Sequence, residues 1–219
     1  GNDTMVFLSS VSGASLVGGA GADSLFFTST VTGTTIVGDA GNADSIVFST
    51  ISSEAVFANA SLDSVVGGAG NDSFQFISAA GNVTIDAGAG NDSLLFSVST
   101  LSSASVLGGS GNDQITITSV NTITSNLINA GDGSDSVVVF AVSSLDSVIG
   151  GAGNDFISFS ADVTRSQISG DAGADSLLFG NTVSASSVLG GADNDTLSFS
   201  ALVDVTTVDA GADDDSLVF

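Results

Sequence analysis

The chain has 219 residues, 42% of them hydrophobic, and a formal net charge of −23 in which Arg165 is the one basic side chain. That balance excludes nucleic acid and anionic membrane surfaces as partners, since phosphate contacts need Lys and Arg. It makes a cation the natural counterpart, because self-repulsion on this scale opposes a compact state.

The apolar fraction is too high for a disordered acidic tail. No run of about 18 apolar residues offers a membrane-spanning helix, so no membrane insertion is expected. Without His, Cys, Lys or Tyr the sequence lacks the usual general bases and nucleophiles, and it reads as non-enzymatic.

In chain order, Gly1-Asn2-Asp3 leads into the alternating run Thr4-Met5-Val6-Phe7, and this juncture of turn and strand returns down to the last residue. Its fullest copy is Val65-Val66-Gly67-Gly68-Ala69-Gly70-Asn71-Asp72-Ser73-Phe74-Gln75-Phe76. Aligned on the final aspartate, the copies fall at Asp3, Asp23, Asp44, Asp72, Asp92, Asp113, Asp135, Asp155, Asp175, Asp195 and Asp215. The intervals are 20 to 22 residues, except for 28 between Asp44 and Asp72. Self-similarity at this period is the signature of a solenoid. Residues 1–219 therefore read as a single repeat array stacked into one body, with about eight extra residues forming an inserted loop within 49–63. The array begins and stops inside the motif, so it reads as a segment of a longer repetitive chain.

After each aspartate the second residue is apolar and the fourth is Phe in nine of eleven copies, Ile117 and Val139 being the others. Period-two alternation over four residues predicts a β-strand with one buried face. A second short strand precedes each glycine turn, as in Ser64-Val65-Val66, Ser105-Val106-Leu107 and Ser187-Val188-Leu189. A looser Ser/Thr-rich bend joins the two. The expected fold is all-β: a parallel β-solenoid of about eleven coils, two strands each, with a ladder of stacked Phe rings inside. The third residue after the aspartate should point outward, yet it includes Val6, Phe26, Val47, Leu95, Val138, Leu178 and Val218. Such a stripe exceeds what a monomer usually exposes and suggests lateral self-association, while open strand edges suggest end-to-end stacking.

The turn Gly-Gly-Ala-Gly-Asn-Asp has a chemistry of its own. Glycines permit φ > 0 and leave backbone carbonyls uncrowded, and aspartate adds a hard anionic oxygen. Stacking at about 4.8 Å brings successive turns close enough to share an ion. Carbonyls plus carboxylates in number suit Ca²⁺; Mg²⁺ demands a tighter octahedron, and transition metals want His or Cys. Ordinary turn residues that bond their own backbone are the plain alternative for these aspartates.

The turns Gly67–Asp72, Gly108–Asp113 and Gly150–Asp155 resemble the RTX nonapeptide, Gly-Gly-x-Gly-x-Asp-x-apolar-x, a Ca²⁺-binding β-helix repeat. The resemblance implies a parallel β-roll with calcium held between turns of successive coils. It places the calcium carboxylates on the eleven aspartates above and ligand carbonyls on Gly68, Gly70, Gly109, Gly111, Gly151 and Gly153. Asp39, Asp86, Asp132, Asp171, Asp193, Asp209 and Asp213 lie in or beside turns and are candidate extra ligands. The RTX pattern usually puts a glycine turn on both edges of each coil, whereas this chain has it on one. That implies a single row of about ten ions, which would nearly neutralise the chain.

Family members are typically secreted and calcium-folded. The resemblance therefore implies an extracellular or cell-surface structural region: a surface layer, surface fibre or adhesin stalk. The alternative is a β-roll module assisting secretion or folding of an attached enzyme or toxin. Thr-rich bends such as 28–35 and 116–124 add a minor alternative, an ice-binding solenoid, although Thr does not recur at one position coil after coil.

Overall fold

A computed structural model describes residues 1–27, 31–32, 35–40, 45–48, 63–76, 80–119, 121–204 and 207–219. Every strand pair among them is parallel and in register, and the pairing follows the repeat. Ser176 pairs with Thr196, Leu177 with Leu197, Leu178 with Ser198 and Phe179 with Phe199. The strands that follow the aspartates form an 11-stranded sheet running from Thr4–Phe7 to Ser216–Val218. Those that carry the glycine turns form a 10-stranded sheet from Ser15–Val17 to Thr207–Gly211.

The bend also contributes a strand, which the sequence reading did not assign. Two-residue strands such as Ser143–Ser144, Val163–Thr164 and Val183–Ser184 line up in a 7-stranded sheet, and Val11–Ser12 pairs with Val31–Thr32 in a 2-stranded one. The coil therefore has three strands instead of two. Its second corner is made by one residue in the left-handed region: Ser103, Ser125, Leu145, Arg165 or Ala185, at φ between 50° and 60°. That single residue turns the chain sharply enough for the bend to stay in register, and Val163 N donates to Thr182 O at 2.9 Å and Arg165 N to Ser184 O at 3.0 Å. Counted this way, the expected eleven coils become nine that close with all three strands among the described residues. The coil begun by Ser45–Phe48 has no described bend strand, and the last is Ser216–Val218 alone. The inserted loop expected within 49–63 lies outside the described residues up to its end, where Asp63 opens the strand Asp63–Ala69.

Strand alternation sorts the side chains as expected. Leu25, Ile46, Phe74, Leu94, Ile115, Val137, Ile157, Leu177 and Leu197 form one buried column, and Phe27, Phe76, Phe96, Phe159, Phe179 and Phe199 belong to the next. The rings stack nearly parallel: Phe159 on Phe179 at 5.6 Å, Phe179 on Phe199 at 4.9 Å, and Phe76 on Phe96 at 4.9 Å. The glycine-side sheet answers with Ile36, Val65, Ile85, Val106, Ile128, Val148, Ile168 and Val188. On the outer face of the 11-stranded sheet, Val6, Phe26, Leu178 and Val218 are exposed while Leu95 and Val138 are half-buried by their neighbours. Exposed apolar side chains also occur away from this stripe, at Phe140, Leu145, Phe156 and Leu202.

Phe179, fully buried between two stacked rings, provides a test of the ladder. Phe179→Ala is expected to cost about 3–5 kcal/mol in urea unfolding. Hydrogen exchange should speed up mainly in the coils next to it, since solenoid stability is largely nearest-neighbour.

Candidate metal centre

Registered stacking brings the aspartates together in a column on one edge. Each backbone N–H donates to the carboxylate of the next: Asp92 N to Asp113 Oδ1 at 2.8 Å, Asp113 N to Asp135 Oδ1 at 2.7 Å, and Asp135, Asp155 and Asp175 N likewise at 2.8 Å to Asp155, Asp175 and Asp195. Asp3 and Asp23, Asp72 and Asp92, and Asp195 and Asp215 pair the same way. Of the eleven, only Asp44 lies outside the described residues.

The second carboxylate oxygen has a different environment. Oδ2 of Asp92, Asp113, Asp135, Asp155, Asp175 and Asp195 is buried with no hydrogen-bond donor. It turns back across its own turn toward the first motif residue. A Cβ added at Gly108 would meet Asp113 Oδ2 at 2.5 Å, and at Gly150 it would meet Asp155 Oδ2 at 2.4 Å. A buried anionic oxygen without a partner is expensive, and these recur in the six successive coils from Asp92 to Asp195.

Beside this column run two rows of carbonyls. Gly68, Gly109 and Gly131 at the second motif position, and Gly70, Gly111, Gly133 and Gly153 at the fourth, aim their oxygens at the glycine of the following coil. A Cβ would fall 2.1 Å from Gly68 O if placed at Gly88, and 1.9 Å from Gly70 O at Gly90 or from Gly133 O at Gly153. Of the six expected carbonyl donors, Gly68, Gly70, Gly109, Gly111 and Gly153 thus point along the stack, and Gly151 faces Gly131 O. Among the described residues no three acidic side chains converge on one point. These residues therefore form no carboxylate cage. Hard oxygens of this kind, with Oδ2 of Asp92 to Asp195 unpaired, fit Ca²⁺.

The extra carboxylates are spread more widely. Asp86, half-buried, and Asp209, exposed, occupy outward positions on the glycine-side sheet, paired with Val66 and Leu189. Asp132 is exposed at the third motif position. Asp171, Asp193 and Asp213 are exposed and stand where other coils have glycine. For Asp39 only the backbone is described, in the strand Thr35–Ala40.

Two further polar columns were not read from the sequence. Asn Oδ1 atoms just before the aspartates accept from the following coil: Asn71 from Asn91 N and Asn91 from Asn112 N, both at 2.8 Å. The opposite edge holds a buried chain in which Ala104 N donates to Asn126 Oδ1, Asn126 N to Asp146 Oδ1 at 2.8 Å, Asp146 N to Ser166 Oγ and Ser166 N to Ser186 Oγ. Asp146 accepts four hydrogen bonds in all, including Ser143 Oγ at 2.7 Å. Because Ala, Asn, Asp and Ser share the position, no single residue marked it.

Burial pushes the column's carboxyls upward: Asp113 and Asp175 to about 7 and Asp155 to about 6, with neighbouring carboxylates adding to the shift and the backbone N–H opposing it. Asp92, Asp135 and Asp195 shift the same way, also chiefly through burial. A carboxyl that holds its proton more tightly when folded lends stability below its ordinary value of 3.8, and loses it as pH rises through about 6 to 7. In chelator, the melting temperature should accordingly fall between about pH 4 and neutrality, and calcium should restore it at neutral pH. A metal-free melting temperature that climbs over this range would contradict the burial of these groups.

The sequence pattern of the RTX calcium-binding nonapeptide repeat (4 copies) matches residues 53–75, 76–96 and 143–162. Among solved structures, the chain resembles a hyperactive, Ca²⁺-dependent, β-helical antifreeze protein from an Antarctic bacterium. The TM-score is 0.68 and the identity 26%, covering 99% of this chain and 72% of that one. No curated protein matches the sequence.

Proposed function

Because the chain is an RTX-type calcium-binding β-roll repeat protein, we propose that it is a calcium-rigidified structural rod in an extracellular surface layer, fibre or adhesin. One observation carries this reading: the column of buried Asp92 to Asp195 Oδ2 atoms without donors, set beside carbonyl rows aimed from coil to coil. Bound calcium supplies the positive charge this edge lacks. The chain's own residues do the rest: glycines keep the carbonyls uncrowded, backbone N–H groups fix Oδ1, and burial holds Oδ2 in place. About one ion per gap is expected, ligated by the aspartate column and carbonyls such as Gly68, Gly70, Gly109, Gly111 and Gly153, in an affinity range of roughly 10⁻⁴–10⁻³ M typical of extracellular modules. Such a site stays filled outside a cell and empties inside, so folding is coupled to export. The rod carries no catalytic step in this reading. Self-association is assigned to the outer stripe of Val6, Phe26, Leu178 and Val218.

Circular dichroism and small-angle scattering test this directly. Chelator should abolish the β-signal and expand the chain at neutral pH, and calcium should restore both; spectra unchanged by chelator would sink the reading.

The likeness to a Ca²⁺-dependent antifreeze protein favours a second reading, in which the straight registered face of the rod binds ice. It predicts inhibition of ice recrystallisation in calcium and none in chelator. Recrystallisation that proceeds equally in both rejects it and leaves the structural rod.

A further inference from the structure

The second and fourth motif positions are glycine at φ between 104° and 142° in every turn from Gly68 to Gly153. In the last three turns three aspartates break this rule: Asp171 at the second position, and Asp193 and Asp213 at the fourth, at φ 77°, 75° and 81°; nearer the start of the chain Asp39, paired with Gly68, also stands at the second position. Backbone conformation does not explain the choice. Glycine is free there, and Asn tolerates positive φ as well as Asp does, yet all three replacements carry charge.

Their position gives that charge something to act on. At these sites the missing Cβ of a glycine faces the carbonyl row of the preceding coil, 1.9 Å from Gly131 O for Gly151 and 2.1 Å from Gly153 O for Gly173. The coil pair that the Asp193 Cβ faces is more widely spaced, whereas Gly153 N to Ala172 O, across the pair that the Asp171 Cβ faces, is 2.7 Å. Gly173 N to Ala192 O, between the coils that hold Asp171 and Asp193, is 3.1 Å, against 2.7 Å in the five preceding coil pairs. Asp171 accepts from Ser169 Oγ and remains exposed. In the same turns, Oδ2 of Asp175 and Asp195 is buried with no donor, each residue no more than 2% exposed. Asp171 repels both Asp155 and Asp175, and Asp193 repels Asp195. Without a cation these turns are crowded with like charge; with one, each has an added anionic group beside it.

Resting on the calcium reading above, we propose that Asp171 and Asp193 are calcium-affinity determinants that weaken the metal-free turns of the last coils and strengthen their hold on the cation. Ligand charge and site rigidity are the levers by which proteins tune calcium affinity over orders of magnitude. Here charge is gained at the expense of metal-free rigidity.

The test replaces Asp171 and Asp193 by the residue their sister coils carry, so folding is not endangered. In the double variant D171G/D193G, the calcium concentration at the midpoint of a circular-dichroism titration should rise roughly tenfold. Its melting temperature in chelator near pH 4 should rise too. D171N/D193N, which keeps the Cβ and loses the charge, should raise the calcium midpoint with a smaller gain in metal-free stability. A calcium midpoint that is unchanged or lower in the glycine variant overturns the proposal while leaving calcium binding intact. A wild-type chain that gives no calcium response overturns both readings together.

Discussion

Parallel strands stacked in register put each side chain directly above its own counterpart one coil away. For apolar residues this is favourable at every step: Phe159, Phe179 and Phe199 stack ring on ring, and each coil completes the burial of the one before. For the aspartates it is the opposite. Asp113, Asp135, Asp155 and Asp175 are forced into a single buried column, and like charges opposite one another across strands are destabilising. The solenoid cannot keep its hydrophobic ladder without also keeping its carboxylate ladder, because one register sets both.

The chain meets part of this cost itself. Asp Oδ1 accepts from the preceding coil while Asn Oδ1, one residue earlier, accepts from the following coil. Neighbouring positions of the turn thus clasp the stack in opposite directions and hold its spacing from both sides. What the polypeptide does not supply, from Asp92 to Asp195, is a donor for Oδ2. On the far edge, Asp146 shows how a buried carboxylate looks when the protein does satisfy it: Asn126, Ser143 and Ser144 together saturate both oxygens. The contrast between the two edges locates the demand for an external cation on the glycine-rich one.

The strands, their parallel order, the inward Phe column and the single edge bearing the aspartates were all legible in the sequence. Each depends on a residue type recurring at a fixed interval. The third strand and the second corner were not, because the corner needs only one residue at positive φ, and Leu145, Arg165 and Ala185 fill it as readily as Ser103. The polar column through Asn126, Asp146, Ser166 and Ser186 was hidden for a similar reason: any small polar side chain that accepts a backbone N–H serves there.

The sequence by itself determined the repeat, its register and the chemical character of the turn, since a 20-residue period with Gly and Asp at constant offsets allows few other folds. Only the tertiary structure decided what each aspartate oxygen faces. Whether Oδ2 meets water, an amide or nothing depends on how two coils close over it, and the carbonyls beside it come from glycines whose direction no spacing reveals. The same closure buries the inner aligned aspartates while leaving Asp171, Asp193 and Asp213, already set apart by motif position, exposed outside that column.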